Sequence, residues 1–184
     1  MKSMINANRM VLVSLIFACG SGNILPGSAE TAKLSVSSSA LSEGAVVPKK
    51  YTGEGDDSSP PLIWSKGPSG TQSYAVCCED PDAPGGTWWH WIVYNIAADT
   101  TQLPASLPKS ASLEHGILQG RNDFRKTGYN GPLPPPGKLH HYQYKVKALD
   151  TLLKLSPNAS KAQFASALRG HVLAEGQLTS TYKR

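Results

Sequence analysis

The segment from Tyr142 to Ala148, with the sequence YQYKVKA, alternates strictly between two kinds of side chain. The two tyrosines, the valine and the alanine fall on one parity, whereas the glutamine and both lysines fall on the other. Because successive side chains of a β-strand point to opposite faces, this pattern predicts a strand with one apolar and one polar face. Such a strand is stable only within a sheet, so the chain must supply further strands to pair with it and cover its apolar face.

Composition and turn residues favour a mainly β fold in a single domain. The chain has 184 residues, enough for one domain with a sizeable core, and its 17 glycines and 14 prolines favour many turns over long helices. Residues 91–96, WIVYNI, have little polar content and predict a central strand covered on both faces. Further strands are predicted at Leu34–Val36, Leu62–Trp64, Ser73–Cys78 and Leu113–Leu118.

The C-terminal region predicts the one helix of the fold. Ser160 and Gln163 have the spacing of a capping box, and apolar residues then recur at helical intervals from Phe164 to Val172. We therefore expect one C-terminal amphipathic helix that ends near Gly176, followed by a short strand over residues 177–182.

The first 29 residues have the pattern of a secretory signal peptide. Lys2 and Arg9 precede an apolar run, residues 10–18, and the small residues at 27–29 form a site that a signal peptidase can cleave. The apolar run is too short to span a bilayer, so no transmembrane segment is expected. We therefore predict a signal peptide over residues 1–29, a domain over residues 30–184, and a periplasmic or secreted location.

Two other interpretations of this leader stay open. Cys19 permits lipoprotein processing, which we rank second because the bulky Phe17 makes that motif imperfect. The segment could also form a buried N-terminal strand or a disordered start.

Charge, cysteines and short motifs exclude several function classes. The net charge of +5 involves no basic run and no interleaving of basic with aromatic residues, so no nucleic-acid partner is expected. Cys77 and Cys78 are neighbours and would point to opposite faces of a strand, which argues against a disulfide between them and against a cysteine metal site. The chain contains no G-x-S-x-G elbow, no H-E-x-x-H pair and no G-x-x-x-x-G-K-[ST] loop. We predict no cofactor and no metal.

Two histidines stand at the starts of predicted strands. His140 has the parity of Tyr142 and so points to the apolar side of its strand, while His141 points outward with the lysines. His90 has the parity of Ile92, inside the second apolar run. Because each strand is preceded by a Gly/Pro-rich loop, the imidazoles of His90 and His140 are expected at the N-terminal ends of two strands.

An acidic turn completes the predicted site. Asp80 and Asp82, within EDPDAPGG, follow the strand predicted to end at Cys78, and an antiparallel neighbour would bring them to the same end of the sheet as the histidines. Imidazoles that donate to an oxyanion, carboxylates that fix their tautomers and the N–H groups of glycines 85, 86 and 131 make a phosphate- or carboxylate-sized site. Trp88 and Tyr142 are expected to form its apolar walls.

Structural explanations compete with this hypothesis. Each histidine, taken alone, is more often a hydrogen-bonded core or surface group than a ligand-binding one. The DPDAP segment could be only a rigid turn in which the aspartates accept from backbone N–H groups. An Asp–His pair could also serve as acid and base in hydrolysis, but no nucleophile is evident beside it.

Five motifs occur in order along the chain: SPPLIW at 59–64, EDPDAP at 79–84, HWIVYNI at 90–96, YNGP at 129–132 and HHY at 140–142. Together they resemble the phosphatidylethanolamine-binding protein family, also called Raf kinase inhibitor proteins, and in particular its bacterial and archaeal branch. The resemblance covers the chain from about Leu34 to Arg184.

The resemblance implies a central antiparallel β-sheet fold with one small anion pocket. Matched by position, the pocket residues would be Asp80, Asp82, Pro84, Trp88, His90, Gly131, Pro132, His140 and Tyr142. The family binds phosphate, phosphorylated head groups and similar anions there and is not generally enzymatic. Some members inhibit kinases or serine proteases through protein contacts.

The chain departs from the family's pattern at several positions. His141 stands where an arginine usually follows the second histidine, so a permanent cation is lost. Leu133 replaces a cysteine common in the bacterial branch, and Lys138-Leu139 stand where a small residue is frequent. The tail does not match the C-terminal residues that gate the pocket of animal members.

These features together predict an exported, non-enzymatic binding protein that holds a small anion or phosphorylated head group in an Asp/His pocket, with a regulatory role as one option. The alternatives are a protein inhibitor of a protease or kinase that acts through its surface, and a weak Asp/His hydrolase. Because histidine must donate to the ligand without help from arginine, binding is expected to strengthen as the pH falls from about 8 to 6, around the ordinary histidine pKa of about 6.5.

Overall fold

The computed structural model describes residue 1 and residues 32–184. The predicted signal peptide over residues 1–29 and the alternative processing at Cys19 therefore lie outside the described residues.

Short and long strands alternate with turns along the described part of the chain. The strands are β1 (Ala32–Lys33), β2 (Val36–Ser37), β3 (Leu62–Trp64), β4 (Ser73–Asp80), β5 (Trp88–Ala97), β6 (Gln102–Leu103), β7 (Leu118–Gln119), β8 (His140–Leu149) and β9 (Val172–Tyr182), and the helix α1 is Lys161–Leu168. Single turns of 3₁₀ helix lie at Lys49–Tyr51 and Glu114–Gly116. The four long strands β4, β5, β8 and β9 carry most of the sheet.

The strands form two sheets. The larger sheet has the order β1-β9-β8-β4-β5-β7, and the smaller has the order β2-β3-β6. Every pairing in them is antiparallel except that of β1 with β9, which is parallel. The prediction of a mainly β fold around a central antiparallel sheet is therefore confirmed, with one parallel pair at its edge.

Apolar side chains cover both faces of the central strands. On one face, residues of β4 and β5 such as Val76 and Trp91 pack with Leu62 of the small sheet. On the other face, Ile92 and its neighbours pack with Phe164 of α1. Residues 91–96 thus form the doubly covered strand that their composition predicts. Cys77 and Cys78 are free thiols, one in each layer, as expected for neighbours on a strand.

Strand β5 contains two irregularities in its pairing with β4. The register shifts by one residue between Tyr74 and Val76, and again between Cys78 and Glu79. The first shift lies opposite Asn95, whose φ of +61° is left-handed and whose side chain bonds the backbone of Leu153 at 3.1 and 2.8 Å. The second shift makes His90 the extra residue of a β-bulge, because Cys78 pairs with Trp91 while Glu79 pairs with Trp89.

The predicted helix is correct at its start and wrong at its end. The Ser160 capping box is present, but the helix ends at Leu168, and Gly170 with a φ of +81° turns the chain back. From Val172 onward the chain is β9, which pairs along the whole length of β8. Since a short helix buries few apolar side chains, the long strand pairing determines the structure of this segment.

Two predicted strand regions also differ from the structure. Residues Leu113–Leu118 form a 3₁₀ turn at Glu114–Gly116 and join the sheet only at β7. Of Leu34–Val36 only Val36 is in a strand, β2, while the two residues before it connect β1 to β2, which belong to different sheets. Both segments are too short for alternation of side chains to reveal their boundaries.

Replacement of Asn95 tests the bulge in the middle of β5. Asn95→Ala removes the bonds to Leu153 and places a β-carbon in the left-handed region, whereas Asn95→Gly removes the same bonds without that strain. We expect the alanine variant to have a free energy of unfolding about 1 kcal/mol lower than the glycine variant. Urea unfolding followed by tryptophan fluorescence measures the difference, and equal stability of the two variants would contradict a role for the backbone conformation.

Candidate functional site

Three strand ends meet at one end of the large sheet. β4 lies between β5 and β8 and runs antiparallel to both, with Asp80 opposite Trp88 and Glu79 opposite Gln143. The C-terminal end of β4 is therefore level with the N-terminal ends of its two neighbours. This arrangement is the one on which the predicted meeting of histidines and aspartates depends.

A cavity of about 290 Å³ opens at this junction. Its lining consists of Asp80, Ala83, Pro84, Trp88, His90, Phe124, Leu133, Pro134, Pro135, His140 and Tyr142. Six of the nine predicted site residues are among them: Asp80, Pro84, Trp88, His90, His140 and Tyr142. Asp82, Gly131 and Pro132 lie outside the lining.

A buried histidine–aspartate pair forms the polar floor of the cavity. The Nδ1 atom of His140 lies 2.7 Å from Oδ2 of Asp80, and the two residues are only 2% and 3% exposed. The other carboxylate oxygen of Asp80 accepts from the N–H of Asp82 at 2.9 Å. Because a carboxylate accepts, His140 carries its proton on Nδ1 toward Asp80, and its Nε2 is the nitrogen left for a ligand.

The bulge at His90 turns that ring toward the same cavity. By parity His90 would lie in the layer of Ile92, which packs toward α1, but the extra residue places it beside Tyr142, with ring centroids 5.2 Å apart. The sequence argument from parity is therefore wrong for His90 as to its face. The bulge is what brings the ring to the cavity that contains His140.

The protonation state of His90 follows from its surroundings. Its Nδ1 donates to the carbonyl of Asn130 at 2.7 Å, and the N–H of Asn130 donates back to the His90 carbonyl at 3.0 Å. Burial lowers the pKa of the imidazole, and nearby carbonyls and the charge of Asp80 oppose this only in part. Near pH 7 the ring is neutral, so the Nε2 of His90 presents a lone pair instead of the donor that was expected.

A polar network behind His90 fixes its partner Asn130. The side chain of Asn130 donates to Asp57 Oδ2 at 2.8 Å, and the N–H of Gly131 donates to Asp57 Oδ1 at 2.6 Å. Asn122 donates to the side-chain oxygen of Asn130 at 2.8 Å and is itself buried. Asp57 thus holds the loop against which His90 is oriented, from a position 73 residues earlier in the chain.

Two residues that line the cavity each have a buried donor without a hydrogen-bond partner among the described residues. These donors are the hydroxyl of Tyr142 and the Nε1 of Trp88; a third such atom, Nε1 of Trp64, lies away from the cavity. The Tyr142 side chain is fully buried, and burial together with the negative charge of Asp80 raises the pKa of its hydroxyl. It therefore stays protonated and able to donate at neutral pH. Because an unpaired buried donor destabilises a protein, a group that accepts from it is stabilising.

The remaining predicted residues have supporting positions. Asp82 is exposed and accepts from both the N–H and the Nδ1 of His141, at 2.8 and 2.7 Å. The pair lowers the pKa of the Asp82 carboxyl, chiefly through the bond from His141, and anchors the DPDAP turn to β8. His141, at the position where the family usually has arginine, is thus engaged outside the cavity.

Two of the three glycine N–H groups predicted to meet a ligand, those of Gly86 and Gly131, have partners within the protein. The N–H of Gly131 is taken by Asp57, and a β-carbon at Gly131 would lie 2.3 Å from the carbonyl oxygen of Tyr51. Gly86 bonds Ala83 within the turn, and Gly85 and Gly86 have φ values of +92° and +110°. Gly131 is required for lack of space, whereas Gly85 and Gly86 are favoured by their left-handed backbone.

Sequence reasoning missed the apolar side of the cavity. Phe124 contributes a ring 5.4 Å from Trp88 and 5.2 Å from His90. Leu133, Pro134 and Pro135 also belong to the lining. The proline run was visible as a loop signal, but no local pattern indicated that it returns to the histidines.

Other places in the described residues are less suited to a focused site. A groove of about 700 Å³ lies near the far end of β5, but its charged residues Glu114 and His115 have side chains that are 95% and 85% exposed. Within residues 32–184 no three His, Cys, Asp or Glu side chains are grouped so as to hold a metal ion. In that part of the chain we also find no helix with the length and apolar character needed to cross a membrane.

Comparison with known proteins identifies the family of this chain. Residues 37–183 match the family model described as "Phosphatidylethanolamine-binding protein". The chain belongs to this family. It is 42% identical to a UPF0098 protein of Pyrococcus horikoshii, over 100% of this chain and 91% of the relative, and 42% identical to the UPF0098 protein YbhB of Escherichia coli, over 70% and 84%.

Solved structures of other phosphatidylethanolamine-binding proteins have the same fold. The crystal structure of E. coli YbcL, described as a new member of the mammalian PEBP family, matches with a TM-score of 0.78 and 39% identity, covering 83% of this chain and 99% of YbcL. The homolog CT736 from Chlamydia trachomatis matches with a TM-score of 0.74 and 33% identity, covering 84% and 99%. The predicted family, and its bacterial and archaeal branch, are confirmed.

Replacement of Asp57 tests the network behind His90 in this family member. Asp57→Ala leaves the N–H of Gly131 and the amide of Asn130 without their acceptor, so we expect the free energy of unfolding to fall by about 2–3 kcal/mol. The His90 signals in a histidine-selective NMR spectrum should shift as Asn130 moves. The neighbouring, exposed Asp56 offers a matched control, since Asp56→Ala should change neither. Equal behaviour of the two variants would contradict the network.

Proposed function

We propose that the protein is an exported, non-enzymatic binding protein that holds a small oxyanion, such as phosphate or a phosphorylated head group, in the cavity between β4, β5 and β8. The observation that carries the proposal is the pair of unpartnered donors, Tyr142 hydroxyl and Trp88 Nε1, at a cavity whose floor is the His140–Asp80 pair. An oxyanion has enough lone pairs to accept from several donors at once. It would therefore satisfy groups that the protein itself leaves unpaired.

The size and shape of the cavity favour a small ligand with an apolar neighbour. At about 290 Å³ it is at the lower end of the range of small-molecule pockets. Its polar groups are gathered on the floor, while Phe124, Leu133 and the adjoining prolines supply apolar walls. A phosphorylated or carboxylated head group with a short organic part fits this division.

The composition of the lining supports binding over turnover. Of the described residues around the cavity, none is a serine, threonine, cysteine or lysine, so the side chains that could form a covalent intermediate are limited to aspartate, histidine and tyrosine. Both oxygens of Asp80 accept hydrogen bonds within the protein, which makes that carboxylate a poor nucleophile. A binding role, with possible consequences for regulation, agrees with these features better than hydrolysis does.

Tyr142→Phe is the sharpest test of the binding site, because it removes only the unpartnered hydroxyl. We expect affinity for phosphate or O-phosphoethanolamine to fall by about tenfold, since a hydrogen bond to an anion is lost. The stability of the empty protein should change little, since the hydroxyl approaches Asp80 but forms no hydrogen bond of normal geometry within the described residues. Titration followed by histidine-selective NMR, with the signals of His90 and His140 as reporters, measures the affinity.

Tyr144→Phe is the matched control for this variant. Tyr144 lies on the same strand and is equally buried, but its hydroxyl lies 3.1 Å from that of Tyr129 and does not line the cavity. Its loss should lower stability without changing affinity. If neither histidine of the unmodified protein responds to phosphate, O-phosphoethanolamine or acetate, the binding function fails, and an inhibitor acting through its surface becomes the better hypothesis.

Export is the second part of the proposal, and the leader sequence supports it. Basic residues, an apolar run and the small residues at 27–29 occur in the order that signal peptidase substrates require. Expression of the full chain in a bacterial host should give an envelope-localised product whose N-terminus is near Glu30. Ala29→Arg should block this cleavage, because the enzyme accepts only small residues at that position.

The alternative processing site has its own control. If the protein is a lipoprotein, Cys19→Ser should abolish maturation while Ala29→Arg leaves it intact. Mass spectrometry of the purified product distinguishes the two outcomes, and recovery of the uncleaved chain in the cytoplasm would contradict export.

A further inference from the structure

The cavity offers hydrogen-bond acceptors as well as donors. His90 has its proton on Nδ1, held by the Asn130 carbonyl, so its Nε2 meets the cavity with a lone pair. Asp80 is a buried carboxylate in the same lining. A ligand that carries only acceptors, such as a fully ionised oxyanion, would place its oxygens against both of these groups.

Positive charge that could overcome this repulsion is scarce. Of the described residues that line the cavity, none is lysine or arginine. His141, which follows the second histidine, is turned outward to Asp82. In a buried environment a carboxylate facing an anionic oxygen is strongly unfavourable unless a proton lies between them.

We infer that the cavity selects oxyanions that still carry a proton, above all the monoanion of a phosphate monoester, whose P–O–H donates to Nε2 of His90 while its other oxygens accept from Tyr142 and Trp88. This selectivity rests on the proposed binding function and specifies its ligand class. It excludes sulfate and sulfate esters, which have no proton to donate near neutral pH. It also disfavours the phosphate of an intact lipid head group, because a phosphodiester has no P–O–H.

The groups around His90 leave its imidazole ring neutral, so that the ring can accept a hydrogen bond. The ionisable groups facing its ring are Asp80 on β4, Asp123 in the loop after β7, and Tyr142 and His140 on β8. The two carboxylates favour a protonated ring, but burial outweighs them. Because the Asn130 carbonyl can only accept, the proton of the neutral ring lies on Nδ1. The other nitrogen, Nε2, then has a lone pair available to a ligand.

Methyl phosphate and methyl sulfate form a matched pair of probes, because they have nearly the same shape and differ in the ionisable O–H. At pH 6 about half of the methyl phosphate is the monoanion, given a second pKa of about 6. We expect methyl phosphate to bind the intact protein at least tenfold more tightly than methyl sulfate by calorimetry. Dimethyl phosphate, which represents a diester head group, should bind as weakly as methyl sulfate.

The bound proton can be observed directly. ³¹P NMR of methyl phosphate on the protein should show its second pKa raised by at least one unit from about 6, because the site retains the proton. The apparent affinity should therefore fall as the pH rises from 6 to 8, following ionisation of the ligand, while the weak binding of methyl sulfate should show no such fall.

Asp80→Asn should relax the selectivity, because it removes the negative charge that repels an unprotonated oxygen. The single amide oxygen can replace only one of the two acceptors that now bond His140 Nδ1 and the N–H of Asp82, so some loss of stability is expected as well. We expect the ratio of methyl phosphate to methyl sulfate affinity to fall to within about threefold. Asp150→Asn is the control, because Asp150 forms the same kind of bond, 2.7 Å to His171 Nδ1, at an exposed site. That variant should keep the ratio at tenfold or more.

The outcomes separate this inference from the proposed function. Binding of methyl sulfate within twofold of methyl phosphate, or a bound ligand whose pKa is not raised, overturns proton selectivity and leaves anion binding standing. Failure of methyl phosphate itself to bind overturns both. Since the two probes and the ³¹P measurement use the unmodified protein, the test stands even if Asp80→Asn does not fold.

Discussion

The antiparallel pairing of β4 with both β5 and β8 is the constraint on which the site depends. Successive side chains of a strand point to opposite faces, and because core layers cover both faces of β4, all of its residues are buried. Polar residues are tolerated only where that cover ends. Because antiparallel neighbours begin where β4 finishes, Asp80, Trp88 and His140 arrive together at the uncovered end without any one segment containing the site.

Regular alternation explains which parts of this arrangement could be predicted. β8 is regular from His140 to Ala148, so the inward direction of His140 follows from the sequence alone. β5 has bulges at His90 and Asn95, and neither residue is a glycine that would mark such a position. Parity therefore gave the wrong face for His90, although the ring was correctly expected near His140. The expectation that the two rings meet rested on their positions at the starts of two strands, which the bulge does not alter, and the family resemblance implied the same pocket.

The parts that could not be predicted depend on contacts between distant segments. Asp57 lies in a polar turn with no pattern to distinguish it from Asp56, yet it alone accepts from Gly131 and Asn130. The end of α1 was missed for a similar reason. Helical spacing up to Val172 is a local signal, but pairing of β9 with the full length of β8 stabilises an extended chain there. In both cases the deciding interaction joins residues that are far apart in sequence, which propensities do not describe.

Because histidine and not arginine follows His140, the cavity lining within the described residues has no permanent cation to attract an anionic ligand. A permanent cation attracts any anion through its charge and discriminates little between them. Hydrogen bonds from neutral groups attract more weakly, but each requires a matching donor or acceptor, so an unmatched ligand leaves buried groups unpaired. In the proposed site Tyr142 would donate, His90 would accept and Asp80 would repel unprotonated oxygen, so the site would gain selectivity as it loses charge. The outward pairing of His141 with Asp82 leaves His90 and His140 as the only basic side chains that line the cavity within the described residues.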